Sequence, residues 1–204
     1  MLLETTAAKV CYVAGLTVFL TSLGCWAVLG YQESSPVLST AEAVMKDEAF
    51  VRAAARGGLC EIKLGKLAMD QGSNEGVKAF GTRMVAEHTK AGDDLKEAAK
   101  EEHIGLPTNL AAKDQATYDR LSKLTGADFD QAYAQDMVKD HQQDLRDFQR
   151  EANYGNDDAI REFASATVPM IQQHLDQAKD MLKAVLPASV QRTTGNPSRQ
   201  RRGH

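Results

Sequence analysis

Histidine is scarce in this 204-residue chain, five in all, yet three of the five occupy matching places. Taken at alternating steps of four and three, residues 50–68 give the row Phe50, Ala54, Gly57, Glu61, Leu64, Ala68. The next stretch gives Val77, Gly81, Met84, His88, Ala91, Leu95, Ala98. Two later rows are Ala134, Met137, His141, Leu145, Phe148, Ala152 and Ile160, Ala164, Thr167, Ile171, His174, Ala178, Met181, Val185. Each row is apolar or small with one chemically competent exception: Glu61, His88, His141 and His174. A polar side chain on such a seam must find partners or cost about 1–3 kcal/mol. Two chemistries meet that demand. One is a hydrogen-bonded polar layer, with the carboxylate accepting from imidazole N–H groups. The other is a transition-metal site, because neutral imidazole with carboxylate suits Zn, Fe, Mn or Cu. Glu87, Asp140 and Gln173 each precede a histidine and turn about 100° off the seam. They either hold the imidazoles from behind or face solvent.

Nothing else in the chain competes for chemistry. There is no glycine-rich phosphate loop, nucleophile elbow or CxxC pair, so no catalytic residue is assigned. Cys60 reads as a buried small apolar residue, and His103 and His204 receive no site.

The spacing of four and three requires helices. Prolines fall at 36, 107, 169, 187 and 197, leaving two long proline-free runs. The first helix is predicted from about Asp47 to Gln71 and turns at Gly72-Ser73-Asn74. The second reaches about His103, and a connector of about 20 residues with a short helix near 111–124 follows. Thr125-Gly126-Ala127-Asp128 has capping-box spacing ahead of a third helix ending at Tyr154. Asn156-Asp157-Asp158 starts a fourth, which ends before Pro187 and contains Pro169, a predicted bend. Gly57, Gly58, Gly65 and Gly81 lie within helices, where close helix approach is their expected purpose. Between antiparallel neighbours the four exceptional residues fall within one or two turns of a common level, with offsets of about 5 and 8 Å.

The ends differ from this body. Residues 10–32 carry no charge and are mostly apolar, long enough for a membrane anchor or a signal peptide; Lys9 before them and Glu33 after orient the remainder outward. Cys25 is a candidate lipidation site, although Ser22 stands where such motifs carry leucine. Residues 33–45 are expected as a linker. Residues 187–204 contain Arg192, Arg199, Arg201 and Arg202 and no acid, a basic tail expected to be disordered. The formal charge of −4 and a pI near 5.7 argue against a nucleic-acid partner.

Four segments carry a family resemblance: F-V-R-A-A-A-R-G-G-L-C-E-I-K-L-G-K-L-A, V-K-A-F-G-T-R-M-V-A-E-H-T-K, F-D-Q-A-Y with M-V-K-D-H-Q, and P-M-I-Q-Q-H-L. Over about residues 46–186 the chain resembles the bacterial ferritin-like family called domain of unknown function 4142. It departs in carrying Glu87 where that family has aspartate. The resemblance implies an all-α, ferritin-like four-helix bundle with a long crossover between helices 2 and 3, behind an N-terminal hydrophobic segment. It also implies a secreted or envelope-bound bacterial protein. Di-iron chemistry does not come with it, because no Glu-x-x-His occurs in the chain. Three functions remain open: an anchored envelope module for binding or envelope stress, a metal-binding or redox protein using the Glu/His cluster, and a cleaved periplasmic protein that self-associates. Membrane contact, if any, runs through residues 10–32.

Overall fold

A computed structural model describes residues 36–187, with side chains described from residue 46 onward apart from Glu101. All regular structure among these residues is helical: α1 (Pro36–Gln71), α2 (Glu75–Glu101), α3 (Ala112–Leu121), α4 (Gly126–Tyr154) and α5 (Asp158–Val185). The hydrophobic segment 10–32 with Cys25, and the basic tail from residue 188, lie outside the described residues. Among the described residues no helix is long and apolar enough to cross a membrane.

Local chemistry explains most helix boundaries. Asn74 caps α2 by accepting from the Gly76 amide at 2.8 Å, and Asp157 caps α5 by accepting from Ile160 at 2.9 Å. At the end of α2, His103 takes a left-handed φ of 56° and Ile104 N–H reaches back to the Ala99 carbonyl at 2.9 Å. That is the usual device for closing a helix. Two expectations need correction. The segment 33–45 is not a linker throughout, because α1 begins at Pro36. Proline suits a first helical position, where its fixed φ helps and its missing N–H is not needed. The Thr125 capping box does not form: the Thr125 side chain makes no cap bond, and the chain turns on Gly126 with φ of 62°. Asp128 still places a negative charge in the first turn of α4.

Two hairpins, α1 with α2 and α4 with α5, make the bundle, joined where α2 meets α5 and α1 meets α4. The connector from residue 102 to 125 is the long crossover, and its helix α3 packs on α1 and α4. Each hairpin turn is clasped by an aspartate from the other hairpin. Asp130 of α4 accepts from Ser73 N (3.0 Å), Ser73 Oγ (2.5 Å) and Asn74 N (2.9 Å). Asp47 of α1 accepts from Asn156 N (3.0 Å), Asp157 N (2.7 Å) and Asn156 Nδ2 (3.1 Å). These clasps satisfy amides that helix starts leave without partners.

The apolar core falls into two clusters. One gathers Leu64, Phe80, Met84, Phe129, Tyr133 and Met137, and the other Phe50, Val51, Leu95, Ile160 and Phe163. Between them along α1 and α2 lie Glu61 and His88. Gly65 and Gly81 mark a close approach of these helices: a Cβ on either would lie 2.7 or 2.6 Å from the other's carbonyl oxygen. This pair fulfils the expected close approach, whereas Gly57 and Gly58 do not: a Cβ at Gly57 would meet nothing within 4 Å, and one at Gly58 only the His88 side chain at 4.0 Å.

Candidate metal centre

Each long helix sends one polar side chain into the gap between the two clusters. His141 and His174 are completely buried, Glu61 is 2% exposed and His88 7%. The three imidazoles form a triangle with ring centroids 6.0 Å (His88–His141), 5.3 Å (His88–His174) and 5.3 Å (His141–His174) apart. Phe80 closes one side, 6.2 Å from both His141 and His174. One ligand-type nitrogen from each histidine lies within 4.8 Å of the other two.

The hydrogen bonds fix which nitrogen of each ring keeps its lone pair. His141 Nδ1 donates to the Met137 carbonyl at 2.9 Å, which leaves Nε2 as the lone-pair nitrogen. His174 Nε2 donates to Glu87 at 2.6 Å, which leaves Nδ1. His88 Nδ1 lies 2.9 Å from Glu61 Oε2, which leaves Nε2 when the carboxylate accepts. All three remaining nitrogens are buried without a hydrogen-bond partner, as is Glu61 Oε1. One ring nitrogen held by carboxylate or carbonyl, with the other left a free lone pair, is how metal-ligating histidines are oriented.

Electrostatics agrees with neutral rings. Burial lowers His88 and His174 to about 4 and lowers His141 as well, so all three are uncharged at neutral pH and able to ligate. Burial pushes Glu61 up to about 8, against the pull of His141. Glu61 Oε1 and His141 Nε2 stand 3.4 Å apart, two acceptors face to face. Either a proton on Glu61 or a cation between them resolves that contact.

The surrounding residues sort themselves differently from their sequence neighbours. Glu87 supports His174 across the α2–α5 contact, not the adjacent His88. Burial alone would raise Glu87, but hydrogen bonds from His174 and Arg83 outweigh it and hold it below the ordinary carboxylate range. Arg83 binds Glu87 at 2.7 Å and reaches Gln173 at 3.3 Å, so Gln173 is an exposed outer contact with no hold on a histidine. Asp140 lies beside Glu61 together with Asp144, which the seam pattern missed. Burial raises Asp140, and burial with the nearby Glu61 charge raises Asp144 well above the usual value. The available signal was H-x-x-D, one helical turn from His141. Cys60 is buried, its thiol pushed up to about 12 by burial, and it stays a protonated apolar filler.

A cavity of about 280 Å³ opens onto this layer, with Glu61, His88 and Asp144 in its wall beside Leu95, Phe148 and Phe163. Gly57 and Gly58 also line it, which gives these two glycines a purpose other than helix contact.

A model of the family described as Domain of unknown function (DUF4142) matches residues 32–181, which take in α1 to α4, most of α5 and every residue of the Glu/His layer. The chain belongs to that family. No curated protein and no solved structure matches it. Membership in DUF4142 assigns no chemistry to the bundle.

Proposed function

We propose that this protein binds a transition-metal ion in the middle of its bundle, with His88, His141 and His174 as ligands and Glu61 holding the Nδ1 side of His88. The observation that carries this reading is the tautomer pattern: three clustered, buried imidazoles, each with one nitrogen engaged and the other unpartnered. A polar layer that existed only for packing would pair these lone pairs with donors, since leaving them unpaired in the core costs about 1–3 kcal/mol each. A three-imidazole set with one carboxylate behind it suits Zn, Fe, Mn or Cu. The uncharged residues 10–32 support a bacterial envelope location for the bundle, anchored or secreted.

The test is metal analysis of protein purified without an affinity tag and then reconstituted with Zn, Mn, Fe or Cu. One equivalent bound by the wild type, and lost in His88→Ala and His174→Ala variants that keep their helical circular dichroism, is the expected result. Absence of stoichiometric binding for all four metals refutes the reading. The second reading, a partner-binding envelope module, then stands on segment 10–32 alone.

A further inference from the structure

Next to the imidazole triangle lies a second group of donors. One carboxylate oxygen each from Glu61, Asp140 and Asp144 lies within 4.8 Å of the other two. Asp140 and Asp144 are one helical turn apart on α4 and so share a face, with Glu61 coming from α1. Glu61 is 2% exposed, one of its oxygens belongs to this group, and its Oε1, 3.4 Å from His141 Nε2, has no hydrogen-bond partner. Three carboxylates this close repel one another. The lysine acting on both aspartates, Lys113, has a side chain 85% exposed and lies 3.8 Å from Asp114, which leaves little of its charge for the buried oxygens.

We propose that Glu61, Asp140 and Asp144 form a second cation position, lined by oxygen, and that Glu61 bridges it to the histidine position. The proposal rests on the histidine reading and deepens it from one metal to two unlike ones. Three carboxylates suit a hard divalent cation such as Mn²⁺, whereas three imidazoles suit Zn²⁺, so the positions differ in the metal each prefers. Glu61 and Asp144 both line the 280 Å³ cavity, which gives a hydrated cation and its remaining water ligands a way in. The competing occupant is a single proton shared among the carboxylates.

Full-length protein, stripped with chelator and loaded with one equivalent of Zn²⁺, is titrated with Mn²⁺ while free Mn²⁺ is followed by its solution EPR signal. One further equivalent bound by the wild type is expected. The Asp140→Asn/Asp144→Asn variant should keep its Zn²⁺ and helical circular dichroism but bind Mn²⁺ at least about tenfold more weakly. If the double variant fails to fold, Asp140→Asn alone serves the same comparison, since its side chain is only half-buried. No Mn²⁺ bound by the wild type, or equal binding by wild type and variant, overturns the second position and leaves the histidine position standing. Failure of Zn²⁺ to bind overturns the histidine position and the bridge with it.

Discussion

Replacing Gly81 by alanine tests the link between helix packing and the site. The added Cβ would lie 2.6 Å from the Gly65 carbonyl oxygen and 2.9 Å from Ala68 Cβ. Ordinary contact needs about 3.5 Å, so α2 must retreat from α1 by roughly half an ångström or more. Alanine gains about 1 kcal/mol of helix propensity. Overpacking costs about 1–3 kcal/mol, and the obstacle here is a main-chain carbonyl that cannot rotate aside, so the upper end applies. The net loss is about 1–2 kcal/mol, a fall in Tm of about 2–8 °C for a domain of this size. Glu61 lies one turn from Gly65 and His88 two turns from Gly81, so the retreat also lengthens the 2.9 Å contact between them. Zn²⁺ affinity should drop about tenfold. Urea unfolding followed by circular dichroism reads the first effect, and competition with a chromophoric chelator the second. Gly57→Ala is the control: the propensity gain is the same, nothing lies within 4 Å, and stability should rise by up to about 1 kcal/mol. If Gly81→Ala proves as stable as Gly57→Ala, the glycine contact is not a rigid one and the reasoning fails.

Three further outcomes are expected. Asp47→Ala removes the acceptor of three hydrogen bonds at the α4–α5 turn and should cost about 2–4 kcal/mol by calorimetry, against under about 1 for Glu48→Ala, which loses only the half-exposed Arg52 pair. Glu151 is raised from 4.5 to about 7, first by burial and then by Asp47. The folded state therefore holds a proton that the unfolded state releases, and this contribution is full below about pH 4.5 and lost as pH rises through 7. The stability of wild type relative to Glu151→Gln should accordingly decline over that window; a difference independent of pH would contradict the assignment. Glu87→Ala leaves the buried His174 Nε2–H without its acceptor, and should cost about 1–3 kcal/mol of stability and weaken Zn²⁺ binding about 10–100-fold in calorimetric titration. Unchanged affinity would mean that Glu87 does not orient His174.

The long helices and the Glu/His layer were legible because both follow from periodicity. One chemically odd residue per apolar row, at comparable distances from two turns, is a one-dimensional signal of a three-dimensional layer. Misses arose where a partner came from a distant segment. Asp130 and Asp47 look like ordinary polar helix residues, yet each is buried by capping a turn 56 or more positions away. Glu87 was grouped with His88 because they are adjacent, whereas helical geometry turns Glu87 toward α5. Asp144 escaped because it sits between seam and surface, where only the depth of the neighbouring carboxylates reveals its burial. The early start of α1 is obscured by Glu33-Ser34-Ser35 before Pro36 and Ser39-Thr40 soon after it, and at Gly57 and Gly58 the sequence does not distinguish a tight approach from an open cavity.

The crossed aspartate clasps have a metrical consequence. Asp47 and Ser73 are 26 positions apart on the first hairpin, and Asp130 and Asn156 are likewise 26 apart on the second. The two antiparallel helices are thus pinned at both ends over equal spans of about 39 Å. Glu61 stands 12 positions from one pin and His141 stands 11 from the same pin on the opposing helix. The clasps therefore act as a ruler. A slip of one turn would break both ends at once and carry Glu61 about 5.4 Å away from the imidazoles. The level at which the four ligand-type side chains meet is set by two turns at opposite ends of the bundle, each some 15 Å or more from the chemistry they align.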